Sequence, residues 1–269
     1  PLHDLAQPET RVPVSPSQME RAEECPLDWV IGSLGGGAST VSMSLGTLVH
    51  HAFETAQGHD VQELLEKIES EWRKLPFDAD WESERMRGTA AAMAAGLASY
   101  LREFDGSDRE LVGRETGFSV PLGRAELRGK VDRVESRLGA TGTEVTVVDL
   151  KTGAKPPSGP ETQRHAQLQA YQLATALGAF TDGIGPEGTV SGGARLLFVH
   201  PEATKGGGFV ERAQAPLDDE ARSEFAQRVA EIAEVMAASS FTARVEHHCS
   251  DAFSPGDCRI HIVPAVSRS

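Results

Sequence analysis

Cysteine is scarce in this chain. Its 269 residues include three, Cys25, Cys249 and Cys258, an odd and widely spaced set. That excludes the paired framework of a small exported domain and points to a reduced, cytoplasmic setting. Long apolar runs are missing too, and none approaches the roughly 18–20 residues that a membrane span requires. The opening Pro-Leu-His-Asp-Leu-Ala-Gln has neither a basic start nor an apolar segment, so no secretory leader is expected. It also lacks an initiator Met, as a fragment of a longer polypeptide or a processed start would. Positive charge is outweighed, with 26 Lys and Arg against 40 Asp and Glu and a net charge of -14. A free-standing, non-specific nucleic-acid binder needs a basic surface, so that class is disfavoured. An enzyme whose carboxylates hold a metal, and whose substrate another domain delivers, is not.

What is present is ordered. Residues 1–14 are polar and read as a linker. Ser15-Pro16-Ser17-Gln18 reads as a helix start, with Ser15 as N-cap and Pro16 in the first turn, running through Cys25 toward Ile31. Helical spacing recurs at Ser44–Glu54, Val61–Lys74 and Trp81–Phe104. Period two then takes over, predicting strands at Glu110–Pro121, Ala125–Glu135 and Glu144–Lys151. A helix over Pro160–Leu177, a Gly-rich loop at Thr181–Gly193, a strand at Ala194–His200 and a helix over Leu217–Ala238 complete the pattern. The expected architecture is an α/β fold, a mixed central β-sheet flanked by helices, with an N-terminal helical region. The expected divisions are a linker at 1–14, a helical region at 15–108, a core at 109–240 and a Cys/His-containing tail at 241–269.

The chemistry concentrates at Val147-Val148-Asp149-Leu150-Lys151-Thr152-Gly153. Alternation along a strand puts Asp149 and Lys151 on one face. A second strand, Gly129-Lys130-Val131-Asp132-Arg133, adds another acid. Two carboxylates can hold a divalent cation, which makes water nucleophilic and compensates a leaving oxygen. Oxygen ligands suit Mg²⁺, and an imidazole shifts the preference toward Mn²⁺. The Lys151 ammonium would orient the water or stabilise the transition state, and the Leu150 carbonyl offers a further ligand. Gln167 and Tyr171 share one face of the next helix. His50, in Gly46-Thr47-Leu48-Val49-His50, is a further candidate, while His51 faces away by about 100°. Together these residues suggest metal-dependent phosphodiester hydrolysis.

Four patterns, Gly-Thr-x-x-His, Gly-x-x-Asp-Arg, Asp-x-Lys-Thr-Gly and Gln-x-x-x-Tyr, occur here in that order. The chain thereby resembles the PD-(D/E)xK nuclease superfamily and, within it, the RecB-like domains of AdnAB/AddAB-type helicase–nucleases. The resemblance implies a restriction-endonuclease-like core. It assigns the metal to His50, Asp132, Asp149 and the Leu150 carbonyl, and catalysis to Lys151 together with Asp132 and Asp149. Gln167 and Tyr171 would position the DNA or the lysine. It also implies an iron–sulfur cluster held by four cysteines. Cys25, Cys249 and Cys258 match three positions, and Ala252 stands at the fourth. The cluster is then lost, or completed by His248 or His261, or replaced by Zn²⁺. The implied function is a Mg²⁺- or Mn²⁺-dependent deoxyribonuclease that cuts single-stranded DNA delivered by a helicase motor during double-strand break processing. Two alternatives stand beside it: a weakened nuclease-fold module that binds DNA or a partner subunit, and a stand-alone Cas4-like exonuclease.

Overall fold

The computed structural model describes residues 9–35, 41–75, 77, 79–140, 142–181, 184 and 188–243. Strand β1 (Val12–Val14) leads into helices α1 (Pro16–Glu24), α2 (Pro26–Gly35), α3 (Val41–Thr55) and α4 (Val61–Ser70), a 3₁₀ turn at Trp72–Lys74, and α5 (Asp80–Asp105). Strands β2 (Glu110–Leu122), β3 (Ala125–Leu138) and β4 (Thr143–Lys151) follow, then α6 (Gly159–Gln163), α7 (Ala166–Ala176), β5 (Thr189–Phe198), β6 (Val210–Gln214) and α8 (Asp219–Met236). The six strands form one mixed sheet in the order β1-β3-β4-β5-β6, with β2 also paired to β3. The expected class, a mixed sheet flanked by helices, is the one observed.

The chain divides into two compact units. The first comprises residues 1–38, 119–129 and 223–269. In it, β1 pairs in parallel with the start of β3, Val12 opposite Ala125. Ser15 caps α1 as expected, its hydroxyl accepting from the Gln18 amide at 3.4 Å. The helix does not run on to Ile31. Cys25 is extended (φ -151°, ψ 104°) and ends it, because the ring of Pro26 clashes with a helical residue before it. Pro26 then begins α2. Residues 12–14, expected within the linker, pair as a strand instead.

The second unit comprises residues 39–118 and 130–222. Here β3 and β4 run antiparallel, β4 and β5 parallel, and β5 and β6 antiparallel. One face of β4 and β5, with Val148, Leu150 and Leu197, and Val199 just beyond β5, packs on Val49, Ala52 and Phe53 of α3 and on Ala94, Leu97 and Ala98 of α5. Burying a side chain of this size contributes about 1.5–3 kcal/mol, so this layer fixes the height of α3 over the sheet.

Several expectations change in this unit. Strand β5 starts at Thr189, inside the expected Gly-rich loop, and β6 was not anticipated. The helix expected over 160–177 is two helices, broken at Arg164 and His165. The break is held from β6: Gln214 Nε2 donates to the carbonyls of Thr162 (2.9 Å) and Gln163 (3.1 Å). Leu177, the last residue of the expected helix, is exposed. Among the described residues no helix is long and apolar enough to cross a membrane.

Candidate active site

His50, Asp132, Asp149, Leu150, Lys151, Gln167 and Tyr171 all lie in the second unit. Strands β3 and β4 pair as far as Arg133 opposite Val148, and the next residue on each strand, Asp132 and Asp149, is an acid. Asp132 uses both oxygens. Oδ1 lies 2.9 Å from His50 Nδ1 on α3, and Oδ2 accepts the Leu150 amide at 2.6 Å. The expected Leu150 contribution was its carbonyl; the contact present here is its N–H. Gly46, one turn before His50, explains how α3 comes so close. A Cβ there would stand 2.9 Å from Thr152 Oγ1, in the turn that follows Lys151.

Asp149 is 5% exposed. Its Oδ1 accepts from Tyr171 OH at 2.7 Å and from Gln167 Nε2 at 2.8 Å. The Gln167 amide oxygen in turn accepts from Lys151 Nζ at 2.8 Å. Gln167 therefore ties the acid and the lysine together, a role that one helical turn between Gln167 and Tyr171 makes possible. Lys151 Nζ also stands 2.7 Å from Asp149 Oδ2, but out of line for a hydrogen bond, and that buried oxygen has no other partner.

Sequence reasoning missed Glu115 on β2. With His50 and Asp132 it offers three ligand atoms within 4.8 Å of one another. Asp149 stands outside this triad, its Oδ1 committed to Tyr171 and Gln167. Glu115 is ion-paired with Lys130. Its backbone has φ 47°, a left-handed value rare outside glycine. No motif spacing points to it: Glu115 stands between Arg114 and Thr116 in a strand that also carries Glu110.

The electrostatics follow from burial and charge. Burial alone would lower the His50 imidazole, but the hydrogen bond and charge of Asp132, with Asp149 beyond, outweigh it and raise it above the usual histidine value. Burial raises Asp132, only partly opposed by His50. Burial and the Asp149 charge push the Tyr171 phenol up, so it stays a donor. The donor set of imidazole and carboxylates offered by His50, Glu115 and Asp132 fits a divalent cation, and the buried Asp149 Oδ2 lacks a hydrogen bond.

Behind Asp132, a buried carboxylate gathers three donors. Glu135 accepts from Arg133 Nε (2.6 Å), Tyr100 OH (2.7 Å) and Arg109 Nη1 (3.1 Å). The Arg133 guanidinium lies 4.2 Å from the Phe104 ring centroid and 5.7 Å from that of Phe53, one helical turn after His50.

Of the cysteines, Cys25 is buried and its sulfur accepts the Asp28 amide at 3.5 Å. Cys249 and Cys258, and with them the expected cluster and the position of Ala252, lie outside the described residues.

Two carboxylate strands, a paired lysine and a histidine helix define a metal-dependent hydrolytic centre. The model of the PD-(D/E)XK nuclease superfamily matches residues 13–260, almost the whole length, and the chain belongs to that superfamily. No curated protein matches the chain.

Proposed function

We propose that this protein is a RecB-like deoxyribonuclease that cuts single-stranded DNA with Mg²⁺ or Mn²⁺, serving an AdnAB/AddAB-type helicase–nuclease in double-strand break processing. The observation that carries the reading is the Lys151–Gln167–Asp149 relay beside the His50–Asp132 pair. A divalent cation held by His50, Glu115, Asp132 and Asp149 would acidify water and offset phosphate charge. The chain's own groups do the rest. Lys151 keeps its proton at Nζ and presents it to a phosphate oxygen, stabilising the charge that grows in the transition state. Gln167 fixes the direction of that ammonium, and Tyr171 fixes Asp149. The -14 charge suits a domain that receives its strand from a motor rather than capturing it. Cys25, Cys249 and Cys258 would hold an iron–sulfur cluster or Zn²⁺, which iron and zinc analysis of the purified protein decides.

The test is cleavage of single- and double-stranded DNA with Mg²⁺ or Mn²⁺ by the native protein, Asp149→Asn and Lys151→Ala. Loss of a preorganised charged group from such a site lowers turnover by about 10²–10³-fold. Equal activity in native protein and Asp149→Asn would refute the reading. Metal titration calorimetry separates it from a degenerate binding module, whose site should not take up Mn²⁺.

A further inference from the structure

Beside Lys151 and its β5 partner Phe198, a cleft of about 500 Å³ opens between the turn after β4, α6 and β5. That size lies within the roughly 300–1,000 Å³ of small-molecule sites. Lys151, Lys155 and His165 supply its cationic and imidazole groups, and Phe198, Leu196 and Pro157 its apolar wall. The acid on its rim, Glu161, is already committed: its carboxylate accepts the Ser158 amide at 2.7 Å as part of the cap of α6. His165 Nδ1 is shielded from solvent and has no hydrogen-bond partner. The residue sits where the helix breaks, at the N-cap of α7, and its side chain makes no capping bond. Lys155 is exposed and is in no ion pair among the described residues. A buried imidazole nitrogen without a partner costs free energy unless a ligand supplies one. A lysine beside it selects for an anion.

We infer that this cleft binds the nucleotide adjacent to the scissile one, its phosphate gripped by Lys155 and His165. This rests on the nuclease reading above. If Lys151 faces the phosphate being cut, a continuous strand must place its neighbour close by, and the cleft begins at Lys151 itself. The ligand class is a single-stranded polynucleotide read through its backbone, without sequence preference, because nothing in the lining selects a base edge.

The experiment measures KM for oligo(dT) cleavage, and the slope of log KM against log salt concentration, in the native protein, Lys155→Ala, Lys155→Arg and His165→Gln. Lys155 is exposed, so its removal leaves the fold intact. One charge-assisted phosphate contact is expected to raise KM about tenfold in Lys155→Ala. The salt slope should shrink by about 0.7, the single-strand value per phosphate neutralised. Lys155→Arg restores both, and Lys205→Ala, a surface lysine outside the cleft, keeps native values. Native KM and slope in both Lys155→Ala and His165→Gln overturn the subsite alone. So does a raised KM with an unchanged slope, which would mean that no phosphate is held there. A native protein that cleaves no DNA with either metal overturns the nuclease reading itself, and the subsite falls with it.

Discussion

Glu135 is the sharpest place to test how the fold supports the site. Replacing it by Ala removes the acceptor shared by Arg133, Tyr100 and Arg109. The Arg133 side chain is 3% exposed and that of Arg109 10%, so two guanidinium groups lose their shared buried counter-charge. Breaking a buried pair by removing one partner costs about 3–5 kcal/mol. For a chain of this size each kcal/mol is worth roughly 2–4 °C in melting temperature. The expected drop is therefore about 6–20 °C, followed by far-UV circular dichroism on heating. Glu135→Gln keeps the acceptor oxygen but not the charge, and should fall between native and Ala. The double substitution Arg133→Met with Glu135→Leu removes both charges at once and should recover much of the loss, because apolar groups of similar volume often replace a buried pair at little cost. A shift below about 2 °C in Glu135→Ala would refute the reasoning, since the pair would then be adding little beyond solvent screening. Cleavage measured well below the melting point separates stability from catalysis: Arg133 leans on Phe53, one turn from His50, so a loosened network should also lower turnover.

Three further outcomes follow from the same geometry. Glu115→Gln keeps the side-chain size but removes a charge from the triad, and calorimetry should find Mn²⁺ affinity down by at least tenfold. Gly46→Val drives a branched side chain into Thr152 and lifts α3 from the turn after β4; cleavage should fall at least tenfold with helical content retained, because sub-ångström placement carries large rate factors. His165 has its pKa lowered below 6.5, by burial first and then by the Lys151 charge. The folded state thus holds it neutral, and that contribution is complete above pH 6.5 and lost as pH falls below it. His165→Gln should flatten the acid side of the stability–pH curve, and an unchanged curve would sink the assignment.

The sequence was most legible where local rules coincide with the tertiary demand. Asp149 and Lys151 lie at the end of Val145-Thr146-Val147-Val148, a buried central strand whose alternation sets which side chains share a face. Gln167 and Tyr171 follow from one helical turn. Less legible were features decided by distant partners. Strand β1 is three residues with a proline, and it exists because β3 lies alongside. Strand β6, Val-Glu-Arg-Ala-Gln, carries little alternation of its own and is held by β5. The break at His165 has no glycine or proline to announce it, and it is satisfied by Gln214 from β6. The end of α1 at Cys25 was readable in principle, since Pro26 forces it.

The left-handed backbone at Glu115 gives the site a history. A residue with a Cβ held in that conformation costs about 1 kcal/mol or more, whereas glycine would adopt it freely. Stability alone would therefore erode this carboxylate, and a lineage freed from the need to hold a cation should lose Glu115 early. Thermal hardiness and turnover pull in opposite directions at a single dihedral angle. Variants selected only for heat resistance are then expected to drift there toward glycine, becoming sturdier and slower together.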